Sequence, residues 1–245
     1  MNDVKYTTAE EKRLITAIQR AVGALDNGYI GTQTLTDIAN TVGAACFPLA
    51  VKMYGYPVLI GKDIVPFNPR GPLSRYSYTT LGSFTYPRAT TPCSILVNEG
   101  KAVCGAACHA FNGKPESVIY KTADGRVNIK CVKYSTELPK DTVTAVGGMG
   151  LLGNYDPAAE GFSGSYADVL RQTNHNVLGY KRGLWYGVYF PKLNAAAINQ
   201  ICRDRFGFEY AVLLDGGGLA AMNGPEGFSK INNGVQQGYA IQFIG

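Results

Sequence analysis

The chain has 245 residues, 46% of them hydrophobic, and a formal net charge of +5, so it can bury a large core and lacks the strong charge of a nucleic-acid coat. Thirty glycines and sixteen tyrosines favour turns and strands over a helical bundle. No Lys/Arg run marks a nucleic-acid face and no apolar run is long enough to span a bilayer, so neither partner is expected.

Residues Thr7 to Val22 read as a helix capped by Thr7 or Thr8, with Glu10 and Glu11 in its first turn. Met1 to Tyr6 lack the apolar core of a secretion signal. The expected location is therefore the cytoplasm when the chain is made, with release or incorporation into a virion as an alternative. The Asn27-Gly28 turn leads to a second helix, capped by Thr32 and carrying Leu35, Ile38 and Val42. Phe47 to Tyr54 is expected as a third. These turns, carried by Asp26, Gly28, Gly31 and Thr34, resemble the peptidoglycan-binding-like module of cell-wall hydrolases. A small helical module over residues 1–63 is expected, and the alternative is a helical cap packed on the larger domain.

Ile64 to Leu73 holds three prolines and a glycine and reads as a linker. The second domain is then 74–245. Its text turns β-rich, with alternating patterns at Arg75–Thr80 and Ser83–Tyr86 and a short apolar run at Cys93–Val97. Cys104, Cys108 and His109 have a faint metal-ligand spacing, but their small apolar surroundings favour buried free thiols. No metal or cofactor is expected. Asn112-Gly113 ends an apolar stretch, and Glu116 sits in a Lys-Pro-Glu-Ser turn that reads as solvated loop. Ser117–Tyr120 and Arg126–Lys130 form a hairpin across Asp124-Gly125, with Asp124 a turn residue.

Thr144 to Leu152 reads as a glycine-rich loop containing Gly147 and Gly148. Gly148, Gly150 and Gly153 have dinucleotide-site spacing, but Asn154 to Pro157 reads as a turn where that site needs a helix. His175 lies between two asparagines in a polar run, where an imidazole could hold an anion or move a proton. Leu184–Phe190 reads as a strand, and Leu193–Phe206 as an amphipathic helix ending at Gly207. Ala211–Leu214 is a buried strand that stops on Asp215. Gly216, Gly217 and Gly218 follow, and bare backbone beside a carboxylate can close on an oxyanion.

An apolar strand followed by Asp215-Gly-Gly-Gly resembles the phosphodiester glycosidase family, and the resemblance covers roughly residues 75–225. Leu219 stands where that family has serine. His175 and Asn176 stand where it has arginine and threonine, with Gly179 matching. The resemblance implies cleavage between a sugar's anomeric carbon and a phosphodiester. Asp215, His175 and Glu116 are then the catalytic candidates. Asn112, Gly113, Gly147, Gly148, Asn176, Gly216, Gly217 and Gly218 are the substrate-binding candidates. The implied partner is a glycan or cell-wall polymer; the oligomeric state is left open. Two alternatives remain: an inactive glycan-binding protein and a phage-type peptidoglycan hydrolase. The fold expected is α+β, a mixed or antiparallel sheet core with flanking helices behind the helical module.

Overall fold

The computed structural model describes residues 47–69, 73–82, 84, 92–107, 113–153, 155–225 and 238–245, together with Thr16 and Gln19. The expected helices at Thr7–Val22 and Thr32–Val42 thus lie outside the described residues, apart from Thr16 and Gln19, which are helical.

The fold is mostly β, and this corrects the expected α+β class. The strands are β1 (Leu49–Met53), β2 (Tyr56–Gly61), β3 (Asp63–Phe67), β4 (Thr79–Leu81), β5 (Leu96–Asn98), β6 (Lys101–Cys104) and β7 (Glu116–Thr122). They continue as β8 (Val127–Val132), β9 (Thr142–Leu152), β10 (Thr173–Lys181), β11 (Leu184–Leu193), β12 (Tyr210–Gly216), β13 (Met222–Asn223) and β14 (Ala240–Ile244). Ten strands form one sheet in the order β1-β2-β11-β10-β12-β9-β5-β6, with β7 on the other edge of β9 and β8 beyond it. Four form a second sheet, β13-β4-β14-β3, and all strand pairings in both are antiparallel.

The expected third helix at Phe47–Tyr54 is a strand. Leu49 to Met53 pairs with β2 across a two-residue turn, Tyr54-Gly55, with φ of 52° and 87°. Positive φ at both central residues gives the twist a hairpin needs. A short apolar run does not distinguish helix from strand by itself. The expected linker is in part β3, which pairs with β14 at the edge of the small sheet, where Pro66 is tolerated.

Two cores follow from the alternation of side chains along the strands. Between the sheets, Leu178, Trp185, Val212 and Leu214 pack on Met222, Ile241 and Phe243. On the other face of the large sheet, Val177, Val188, Leu213 and Met149 are covered by an α-helix. This helix, α1 (Ala195–Ile201), is capped by the Asn194 side chain, which accepts from the Ala197 amide at 2.8 Å. It ends in a π-turn at Cys202–Phe206, with Gly207 left-handed at φ 61°. The sequence expectation holds here because the cap, the apolar stripe and the glycine all agree. No helix among the described residues is long and apolar enough to cross a membrane.

Asn176 pins the two sheets together. It is fully buried in β10, and its amide donates to Thr80 Oγ1 in β4 and to the Ala221 carbonyl. Asn176→Ala leaves two buried acceptors with one partner fewer, and is expected to cost roughly 1–3 kcal/mol. The check is a lower urea midpoint at unchanged m-value; an unchanged midpoint contradicts the clamp.

Candidate functional site

Asp215 is the last residue but one of β12, where the strand still pairs with β10 through Gly216 but no longer with β9. Leu213 still pairs with Met149 of β9, but β5 takes over the same edge of β9 at Val146. The end of β12 is thereby freed from that neighbour, and Asp215 emerges half-buried. Its Oδ1 accepts the Gly216 amide at 2.8 Å. Beside it opens a cavity of about 80 Å³ lined by Phe84, Asp168, Val169, Arg171, Thr173, His175, Asp215, Gly216 and Gly217. That is room for several waters or one phosphoryl group.

His175 is on β10, opposite Gly216 across the ladder, and is 1% exposed. Its Nε2 lies 3.2 Å from the Arg171 carbonyl, so in the neutral ring Nε2 carries the proton and donates it there. Nδ1 is buried without a partner. A Cβ at Gly216 would stand 2.8 Å from that nitrogen and 2.7 Å from the Asn174 carbonyl oxygen. Glycine is therefore required at 216 by packing, whatever its amide does. Gly217 is required by conformation, with φ 63°. Arg171 Nη2 lies 3.8 Å and Thr173 Oγ1 4.0 Å from the position of a Cβ at Gly217, so both side chains close around this turn.

Burial pushes the His175 pKa below its usual value near 6.5, and the nearby Arg171 charge adds to this; the Arg171 and Leu193 backbone oppose it. The ring is neutral at pH 7. The folded pKa is depressed, so the unfolded chain binds this proton more readily. Stability is unaffected by this group above its usual pKa and falls as the pH drops through it. His175→Gln is expected to flatten the decline in unfolding free energy between about pH 7 and pH 5. Paired denaturant titrations across that window check it; identical slopes contradict it.

The structure brings together Asp215, His175, Gly216 and Gly217 of the expected site. Gly218 follows in the short 3-10 turn Gly217–Leu219 and is exposed. Others are placed differently. Gly147 and Gly148 are not in a loop but in the middle of β9, and the Gly147 amide donates to the Ile95 carbonyl at 2.8 Å. Asn176 faces the second sheet and does not line the cavity. Gly113 is an exposed turn residue with φ 66°, and Asn112, like Cys108 and His109, lies outside the described residues.

Glu116 is not a solvated loop residue. It opens β7, is fully buried, and accepts from Ser94 Oγ at 2.6 Å and from the Ile95 amide. It does not line the cavity. A second buried carboxylate, Glu160, was not singled out from sequence. It accepts from Ser117 Oγ at 2.6 Å and from the Gly150 amide at 3.0 Å, and burial raises its pKa against the pull of those donors. Glu116 thereby ties β7 to the segment just before β5, and Glu160 ties β7 to β9.

Sequence reasoning also missed Asp168, Arg171 and Thr173. Arg171 and Thr173 lie four and two residues before His175 in the same polar stretch, and that proximity was the available signal. Arg171 and Asp168 are about 61% exposed and form the rim, with Nη1 and Oδ2 3.9 Å apart.

In fold the chain is similar to the catalytic domain of zebrafish N-acetylglucosamine-1-phosphodiester alpha-N-acetylglucosaminidase. The TM-score is 0.56 at 12% identity, covering 81% of this chain and 82% of that one. At this identity the likeness shows a shared fold and carries no residue roles. A hypothetical protein from Synechocystis aligns with TM-score 0.48 at 11% identity, over 80% of this chain and 61% of that one. No protein-family model matches the chain, and no curated protein matches it in sequence.

Proposed function

We propose that the protein is a hydrolase that cleaves the bond between a sugar's anomeric carbon and a phosphodiester. One observation carries the reading: the carboxylate of Asp215 shares a cavity with a guanidinium, a hydroxyl and a glycine turn. The fold likeness to a phosphodiester glycosidase supports it.

The chemistry needs little else. Water adds to the anomeric carbon, the C–O bond breaks, and its electron pair leaves on a phosphate oxygen. A phosphomonoester leaving group has a second pKa of about 6, so it departs without a strong general acid. Asp215 receives the water's proton, or steadies the positive charge that develops on the ring. Arg171, Thr173 Oγ1 and the glycine turn at Gly216-Gly217 face the departing phosphate. A glycan or cell-wall polymer with sugar–phosphate linkages is the partner class that fits.

A second reading is a glycan-binding protein without turnover. Leu219 favours it, because a serine there would add a hydroxyl beside the acid. The test is incubation with N-acetylglucosamine-1-phosphate methyl diester, reading free sugar and methyl phosphate together. Both products in equal amount support the hydrolase; saturable binding with no product supports the second reading.

A further inference from the structure

We propose that His175 is a positioning residue for Arg171: its ring holds the backbone from which the guanidinium meets the phosphoryl group. The proposal rests on reading the cavity as the phosphoryl subsite. Arg171 stands between two regular elements. It follows the 3-10 helix Gly164–Leu170, and β10 begins two residues later at Thr173. Thr173 pairs with Leu193 of β11, so the sheet itself holds it. The Arg171 amide donates to the Asp168 carbonyl at 3.2 Å, which ties it back to the 3-10 helix. Its carbonyl accepts from His175 Nε2 at 3.2 Å, which ties it to the sheet. From this backbone the guanidinium reaches the glycine turn, with Nη2 3.8 Å from the position of a Cβ at Gly217.

The two residues differ in how firmly they are placed. His175 is 1% exposed and pairs with Phe190 of β11 on one side and Gly216 of β12 on the other. The register shifts against β11 between Thr173 and His175, and against β12 between His175 and Val177. Such irregularities re-aim a side chain, and here the ring is turned back onto a carbonyl four residues earlier. The Arg171 side chain is 61% exposed, and an anion that binds it must freeze its rotamers and the backbone beneath. Fixing the carbonyl beforehand removes part of that cost. The contact also selects the tautomer. With the proton on Nδ1, Nε2 would meet the carbonyl oxygen lone pair to lone pair.

The experiment reads dimethyl phosphate affinity by calorimetry at pH 8 and low salt on the wild-type chain, His175→Gln, His175→Met, Arg171→Gln and the double variant Arg171→Gln with His175→Met. Glutamine and methionine are alike in length and charge, and only glutamine has an N–H to offer the Arg171 carbonyl. His175→Gln is expected to bind within about twofold of the wild type, and His175→Met about three- to tenfold more weakly, the range of one net hydrogen bond. In the Arg171→Gln background, His175→Met is expected to change affinity by less than about twofold, because the group it positions is gone. Equal affinities of His175→Gln and His175→Met, or the full loss recurring in the Arg171→Gln background, overturns the proposal. Nitrogen NMR on the wild type tests it without a variant: a proton on Nε2 is expected at pH 8, and a proton on Nδ1 overturns it. A wild type that does not bind dimethyl phosphate removes the phosphoryl subsite and this proposal with it. Its failure is otherwise separable from that of the hydrolase reading. Sugar release with His175→Gln and His175→Met alike removes only the role of His175, and the expected affinities without sugar release remove only the hydrolase.

Discussion

Asp215→Asn is expected to abolish sugar release, by roughly a thousandfold or more, while leaving the fold intact. The substitution keeps shape and volume. It keeps an oxygen to accept the Gly216 amide, now 2.8 Å from Oδ1. What it removes is the negative charge, which is what accepts a proton from water or steadies an oxocarbenium ion. Asp215 is half-buried at a strand end, not locked in the core, so the stability cost is small. The check is a progress curve on a sugar-1-phosphodiester alongside a thermal melt. Loss of turnover with an unchanged melt supports the assignment. Undiminished turnover contradicts it, and binding without turnover in both proteins moves the reading to a glycan-binding protein.

The largest expected effect on stability is at Gly148. A Cβ there would be pressed against the Leu213 carbonyl oxygen, with Val212 Cβ at 3.1 Å and the Leu213 carbonyl carbon at 3.3 Å. These are mostly backbone atoms of β12, the strand that delivers Asp215. They cannot turn aside as a side-chain tip can. Gly148→Ala is expected to destabilise by about 3 kcal/mol or more, the upper end of overpacking effects. For a chain of this size that lowers the melting temperature by roughly 6–12 °C. Gly105→Ala is the control, since its nearest contact is Ser135 Oγ at 3.3 Å and the site is exposed. A Gly148→Ala melt matching the control contradicts the account of why β9 carries glycine.

That position also shows what the sequence made legible and what it did not. The run Ala211–Leu214 ending on Asp215 reads correctly as a strand because every residue is apolar and the stop is abrupt. The hairpin β7–β8 is readable from Asp124-Gly125, and Asp124 is indeed a turn residue, accepting from Thr122 Oγ1 at 2.6 Å and Arg126 Nε at 2.6 Å. Gly147-Gly148 misleads because glycines in a row suggest a loop. Here they are strand residues whose missing side chains make room for Glu116 and for the backbone of β12. Nothing local announces this: Ser94, which partners Glu116, is 22 residues away in the chain. Arg171 is hidden for the same kind of reason. Its role depends on how β10 meets β12, and a local reading of a polar run does not contain that pairing.

The account's central claim is that the reaction occurs at the anomeric carbon, with Asp215 beside it and phosphate as the departing group. Hydrolysis of a sugar-1-phosphodiester in ¹⁸O-water, with both products analysed by mass spectrometry, tests this most directly. The account predicts label on the sugar's anomeric hydroxyl and none on the phosphate. Label on the phosphate would mean that the P–O bond breaks and would contradict it.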